Sequence, residues 1–251
     1  MSNQANKLNT AVILAAGMGT RLREVVNGKP KGLLEINGNE IMKQSLDRIL
    51  KNGIEKIVMV TGYESHVYQE ALRDQYPMIE YVQNPDYART GSMHSLYLAK
   101  EKISGDFLLF ESDLLYENRC ITVLLGLEQE DAILLSGQTD SGDEVYIYGQ
   151  NGLIEFITKD VREDLNKQGE LVGISKISLS LYDQMCKYYH EEIPFPSDFH
   201  YENCLSGLAA AIDVKYHLVE DIVWTEIDDP SHYERALKLI LPRILEKDKT
   251  N

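Results

Sequence analysis

The stretch AVILAAGMGTRL, residues 11–22, decides how this chain is read. Its first six residues are apolar and include the β-branched Val12 and Ile13, the continuous run that a strand buried on both faces requires. Gly17-Met18-Gly19 breaks the run. Glycines where a strand turns into a loop let backbone N–H groups approach a phosphate closely. Arg21 follows at once, and Lys31 comes shortly after in KPKGLLEINGNEIM (29–42). The turn lacks the G-x-x-x-x-G-K-[ST] spacing of a Walker A loop, and it lacks the G-x-G-x-x-G dinucleotide fingerprint. Taken alone, the fragment reads equally well as a tight turn followed by solvated cations.

Outward from this stretch, strand-like runs alternate with helical patterns. EIMKQSLDRILKN (40–52) spaces Ile41, Leu46, Ile49 and Leu50 as one helix face, with Gly53 placed to end it. KIVMVTG (56–62), MIEYV (78–82), DFLLFESD (106–113) and DAILLSG (131–137) read as further strands. ESHVYQEALRDQY and a segment from Ser92 read as helices between them. This order predicts parallel βαβ units with right-handed crossovers. After about residue 140 the pattern changes. EVYIYGQNGLIEFI alternates on both sides of Asn151-Gly152, as a hairpin does. A strand in ELVGISKISL, helices near 180–191 and 201–212, and strands in KYHLVE and IVWTEID follow. A last helix opens at Asp229-Pro230-Ser231, with Ser231 and Glu234 spaced as a capping box, and Pro242 is expected to kink or end it.

Lys+Arg 25 against Asp+Glu 40 gives a formal charge of −15, which disfavours a nucleic-acid partner. An anionic ligand would therefore need a local cluster of cations and N–H groups. Cys120, Cys186 and Cys204 are odd in number and widely spaced, which suits a reducing, cytoplasmic setting better than a disulfide framework. The start MSNQANKLNT has no apolar signal-peptide core, and no apolar run is long enough to span a bilayer, so no membrane partner is expected. The six histidines show no metal spacing, and His94 alone lies near the candidate site.

The wider string adds what the fragment lacks. L-A-A-G-x-G-[TS]-R, a gap, Pro30-Lys31 and an apolar return strand Leu33–Ile36 resemble the signature of nucleotidyltransferases that activate phosphorylated small molecules. LLFESDLLYE (108–117), SGQTDSGDEVYIY (136–148) and ELVGISKIS (170–178) narrow the resemblance to the 2-aminoethylphosphonate cytidylyltransferases, beside the phosphocholine enzymes. The resemblance implies a mixed, mostly parallel α/β sheet of Rossmann-like, GT-A-like architecture. Residues 1–251 would form one domain. A nucleotide-binding layer would come from about 10–137 and 213–251, and a small acceptor-side insertion from about 138–212. It further implies CTP and 2-aminoethylphosphonate as substrates and Mg²⁺ as cofactor, and it is compatible with a homodimer. Phosphocholine, phosphoethanolamine or a sugar phosphate is the alternative acceptor. A module that binds nucleotide without reacting is the alternative of another class.

On this resemblance, Leu14, Ala15, Ala16, Gly17, Gly19 and Thr20 carry the nucleotide, and Arg21 and Lys31 neutralise the triphosphate and the departing pyrophosphate. Asp113 ends an apolar strand, where α/β sheets place ligands, and would hold Mg²⁺ together with Asp228. Glu226 is the second choice for the late ligand, and Glu111 the fallback for the early one. Asn84 would read the pyrimidine edge. Thr90, Gly91 and Ser92 lead into a helix N-terminus that suits an anion or a carbonyl. Lys159 would hold the acceptor's phosphonate. Tyr201 and Glu202, or in their stead Glu144, would meet an ammonium head. Each has a plainer reading as a capping, packing or solvated residue.

Overall fold

The computed structural model describes residues 8–22 and 28–250, so the expectation for the amino-terminal stretch 1–7, that it is no signal peptide, lies outside the described residues. The opening stretch forms β1, Thr10–Ala15, buried at every position. A 3₁₀ turn at Lys31–Leu33 precedes β2, Glu35–Ile36, which pairs with β3, Asn39–Glu40, in a small ribbon of its own among the described residues. The expected return strand Leu33–Ile36 is thus shortened to Glu35–Ile36, with Leu33 closing the 3₁₀ turn. That turn places Lys31 and Gly32 at a bend rather than in a ladder.

Next come α1 (Ile41–Lys51), β4 (Lys56–Thr61), α2 (Ser65–Leu72), β5 (Ile79–Gln83), α3 (Ser92–Leu98) and β6 (Phe107–Glu111). β6, β1, β4 and β5 lie side by side and parallel, with Val12 between Leu109 and Val58. Both faces of these strands are covered, which is why they read as unbroken apolar runs. Val12, Leu14, Val58 and Val60 face one core, and Ala11, Ile13, Ala15, Ile57 and Met59 face the other. This is the two-residue alternation of a pleated strand.

β7 (Leu114–Tyr116), α4 (Arg119–Gly126) and β8 (Ala132–Ser136) follow. β8 runs in the same sense as β6 but does not touch it. β11 (Lys167–Ile177) is threaded between them, antiparallel to both, after the hairpin β9 (Tyr146–Gln150) and β10 (Leu153–Thr158). The segment 138–212 therefore does not stand apart from the layer. It completes the nine-stranded sheet, whose other outlying strand is β12 (Tyr216–Val219), beside β8. α5 (Leu179–Glu192) and α6 (Tyr201–Leu208) cover one face, and α6 stops short of the expected residue 212.

β13 (Trp224–Glu226) pairs with β7 in a separate two-stranded ribbon. This pairing carries the late acidic residues to Asp113, whose carbonyl accepts the Ile227 N–H at 3.1 Å. A third apolar cluster, including Leu22, Leu34, Ile36, Leu115 and Ile227, fixes the ribbon against the turn that bears Lys31. α7 (Pro230–Arg235) is capped by Asp229, which accepts from the Ser231 and His232 N–H groups, and not by Ser231. A π-helical turn at Ala236–Ile240 leads into α8 (Leu241–Thr250), so Pro242 sits in the first turn of a continuing helix instead of ending one. Among the described residues no helix is long and apolar enough to cross a membrane.

Candidate active site

The parallel strands end at a cleft enclosing about 1230 Å³, open mouth included. Leu14, Ala16, Gly17, Gly19 and Arg21 line it from β1 and its turn. Ala15 points into the core, and Thr20 is exposed away from the lining. Gly19 has a left-handed φ of +54°, and a Cβ there would meet the Lys31 side chain at 3.2 Å. A Cβ on Gly17 would meet no protein atom within 4 Å. The fold itself therefore leaves room at 17, in the direction of the cleft.

Lys31 reaches in from the bend after Pro30. Its ammonium lies 2.5 Å from Asp113 Oδ2 and bonds Asp228 Oδ1 as well. Lys31 thus lies against both Asp113 and Asp228, the two carboxylates expected to hold a metal. Burial works against its charge, but the two aspartates hold Lys31 well above the ordinary lysine range. Burial likewise opposes ionisation of Asp228, and Lys31 and Arg21 hold its carboxyl well below the usual range. Arg21 approaches Asp228 at 3.0 Å.

Glu111, Asp113 and Glu226 present carboxylate oxygens within 4.8 Å of one another. Burial, reinforced by the Asp113 charge, pushes the Glu111 carboxyl up to about 8, and burial with the same neighbours raises Glu226 well above its ordinary range. Asp113 Oδ1 is buried and has no hydrogen-bond partner. Three hard carboxylate donors, one of them with an unpartnered oxygen, fit a divalent cation such as Mg²⁺. This grouping includes Glu111, the fallback residue, and leaves Asp228 to Lys31.

The loop 84–95 forms the opposite wall. Asn84 is fully buried. Its side-chain amide donates to Thr90 Oγ1 and Ser95 Oγ, each at 3.1 Å, and its carbonyl accepts the Asp86 N–H. Both amide hydrogens are engaged inside the loop, so Asn84 holds the wall in shape instead of offering a free edge. The start of α3 is occupied too. Gly91 N–H donates to Ser197 O, Ser92 N–H to His200 Nδ1, and Met93 N–H to Phe199 O. The first-turn donors expected to meet an anion instead stitch α3 to segment 197–200. His94 turns inward, with Nδ1 3.1 Å from the Tyr189 hydroxyl.

Of the residues expected to meet the acceptor, Lys159 and Glu202 line the cleft with His200. Lys159 bonds Asp143 at 2.6 Å. Burial raises the Glu202 carboxyl, opposed by His200. Tyr201 is 1% exposed, and its hydroxyl donates to Glu111 Oε1 at 2.6 Å, so its ring offers no open face. Glu144 lines a smaller adjoining cavity instead. The Gly142 and Ser141 N–H groups hold its carboxyl low against the effect of burial. Tyr68 is a site residue that sequence patterns miss. It sits in α2 with its hydroxyl accepting the Gly32 N–H at 3.2 Å, and the glycine after Lys31 was its only local trace.

The nucleotidyl transferase family matches residues 10–156. The chain is 32% identical over 233 residues to a choline-phosphate cytidylyltransferase of Streptococcus pneumoniae, covering 92% of this chain and 97% of that one. It is 26% identical to a 2-aminoethylphosphonate cytidylyltransferase of Lancefieldella rimae, covering 90% of each. A bifunctional protein GlmU of Methanococcus maripaludis is 31% identical over 175 residues; the chain spans 41% of that relative's length, and about half the length of several others like it. The solved inositol-1-phosphate CTP transferase of T. maritima superposes with a TM-score of 0.82 at 21% identity, covering 97% of both chains, so its fold is shared.

Proposed function

Because the chain belongs to the nucleotidyl transferase family, we propose that it transfers a cytidylyl group from CTP to a small phosphonate or phosphate bearing an ammonium group, 2-aminoethylphosphonate foremost. The observation that carries this reading is the meeting of the glycine turn, Lys31, Asp113 and Asp228 in one cleft. A phosphonate oxygen of the acceptor forms a bond to the α-phosphorus of CTP as the bond to pyrophosphate breaks. The acceptor is ionised near neutral pH, so no general base is needed. The demand is for positioning and charge stabilisation.

The residues divide that work. The backbone at Gly17 and Gly19 supports the triphosphate, and the room left at Gly17 suits a ligand lying on the turn. Lys31 and Arg21 neutralise charge on the triphosphate and the leaving pyrophosphate. Asp113, Glu226 and Glu111 would hold Mg²⁺, which when bound supplies positive charge at the phosphates. Loop 84–95 shapes the nucleoside wall, with Thr90, Gly91 and Ser92 fixed by segment 197–200. Lys159 takes the acceptor's anion, and the surrounding carboxylates, Glu202 among them, suit its ammonium.

A trimethylated ammonium would want an open aromatic face. The buried ring of Tyr201 favours a primary ammonium, although the choline-phosphate relative keeps phosphocholine as the second reading. Pyrophosphate release with CTP and Mg²⁺ is the test, run over 2-aminoethylphosphonate, phosphocholine, phosphoethanolamine and glucose 1-phosphate. Turnover of 2-aminoethylphosphonate above the others is expected. Turnover of phosphocholine with none of the phosphonate rejects the choice of acceptor.

A further inference from the structure

Asp143 lies in the loop between β8 and β9 and joins two cations that the reaction needs separately. One of its carboxylate oxygens is 3.2 Å from Arg21, and the other 2.6 Å from Lys159. Arg21 stands at the triphosphate end of the cleft and Lys159 at the acceptor end. Both cations are more than half exposed, while the Asp143 side chain is 21% exposed. Asp143 borders the smaller cavity, which shares Glu111, Glu226, Val145 and Leu171 with the main cleft. It therefore stands at the seam between the two spaces.

An acceptor anion that takes Lys159 must displace this carboxylate. Once the triphosphate also engages Arg21, Asp143 is left as a largely covered charge without a counter-ion, which is unfavourable. An acceptor with its own ammonium restores a partner, and a purely anionic acceptor does not. We propose that Asp143 selects the zwitterionic acceptor: its carboxylate exchanges Lys159 for the acceptor's ammonium as the acceptor's anion takes Lys159. This rests on the acceptor class proposed above. Glu202 is the rival partner. Burial biases its carboxyl toward the neutral form, a weaker partner for an ammonium.

The test uses two acceptors that differ only in the amine, 2-aminoethylphosphonate and ethylphosphonate, with the full chain, CTP and Mg²⁺. In Asp143→Asn the KM for 2-aminoethylphosphonate is expected to rise about tenfold, as when one close charge pair across an interface is lost. The KM for ethylphosphonate should stay level or fall, so the preference for the amine collapses. Asp143→Glu should retain part of it. Retained CTP binding by calorimetry, at an affinity equal to or above that of wild type, and a thermal midpoint within about 2 °C of wild type separate this from unfolding. The proposal is overturned if Asp143→Asn keeps the amine preference, or if Glu202→Gln loses it while Asp143→Asn does not. Should no acceptor be turned over, even by the wild type, the proposed reaction fails on its own. Equilibrium binding of the same two phosphonates to wild type and Asp143→Asn then decides the exchange separately: an amine preference lost in the variant upholds it, and one retained, or absent from the wild type, overturns it.

Discussion

At the triphosphate end of the cleft the Lys31 side chain is 13% exposed and is gripped by two aspartates that are covered to a similar degree. Toward the acceptor end Lys159 is 56% exposed and shares one carboxylate, Asp143, with the 55% exposed Arg21 that reaches across from the other end. The first arrangement is fixed by packing: Lys31 follows a 3₁₀ bend, and Asp228 follows a ribbon strand, both held by the same apolar cluster. The second is held by ion pairs that water and ligands can reach. Charge at the first end is preorganised for a reaction common to the family, whereas charge at the second end can change partners, which is what a choice of acceptor requires.

The largest expected contrast comes from removing one cation at each end. Lys31→Met should lower turnover about 10³-fold, the scale seen when one preorganised charge-stabilising group is lost. It should also destabilise the free protein by about 3 kcal/mol, because Asp113 is left buried without compensation and Asp228 keeps only the exposed Arg21. Lys159→Met should act mainly on the acceptor KM and move stability by less than about 0.5 kcal/mol, as exposed substitutions do. Pyrophosphate release and thermal denaturation of both variants check this. Equal losses in both assays would erase the distinction between the two ends.

The walls of the cleft are not independent, because segment 197–200, whose His200 lines the cleft beside Glu202, also holds the start of α3. A Cβ on Gly91 would sit 2.4 Å from the Phe199 carbonyl oxygen, and this contact is with backbone, which cannot rotate away. Gly91→Ala should therefore cost about 2–3 kcal/mol and raise the KM for CTP, by forcing loop 84–95 away from its support. Chemical denaturation with CTP titration measures both. A variant with wild-type stability would mean that the two walls move freely against each other.

The fold was legible wherever periodicity is local. The runs around Val12, Val58 and Leu109 could only be buried strands, and Asn151-Gly152 could only be a hairpin tip, with both residues at positive φ. The insertion of β11 between β6 and β8 was not legible, since pairing order leaves no local mark. The site divides in the same way. Lys31, Asp113, Glu226 and Asp228 stand out as residue types at strand ends and turns. That Lys31 and Asp228 meet across 197 residues depends on tertiary packing alone. Asn84 looked like a recognition residue because its chemistry suits a base edge. Its role as a loop fastener is visible only once Thr90 and Ser95 are seen around it.

Acid should separate the ends further. The Asp228 carboxyl is held below its ordinary value of 3.8. A carboxyl depressed on folding contributes stability that is present above its ordinary range and is lost as pH falls through it. The midpoint should therefore fall on acidification below about pH 4, by about 2–4 °C for each kcal/mol lost in a chain of this size. Asp228→Asn should flatten that limb. An unchanged limb in the variant would place the acid-sensitive charge elsewhere.

The smallest effect is the sharpest discriminator of exposed from buried charge. Asp143→Asn breaks two pairs whose cations are more than half exposed, and such pairs contribute about 0.2–1 kcal/mol each in dilute salt. The screening length falls from about 10 Å at 0.1 M salt to about 3 Å at 1 M. The stability difference between wild type and Asp143→Asn should then shrink toward zero as salt is raised. The Lys31→Met difference should persist, because ions do not enter between Lys31 and its aspartates. Denaturation of the two variants at 0.1 M and 1 M salt tests this. A Lys31→Met loss that salt abolished would show that the triphosphate end is as open to solvent as the acceptor end, and its charge could no longer be regarded as preorganised.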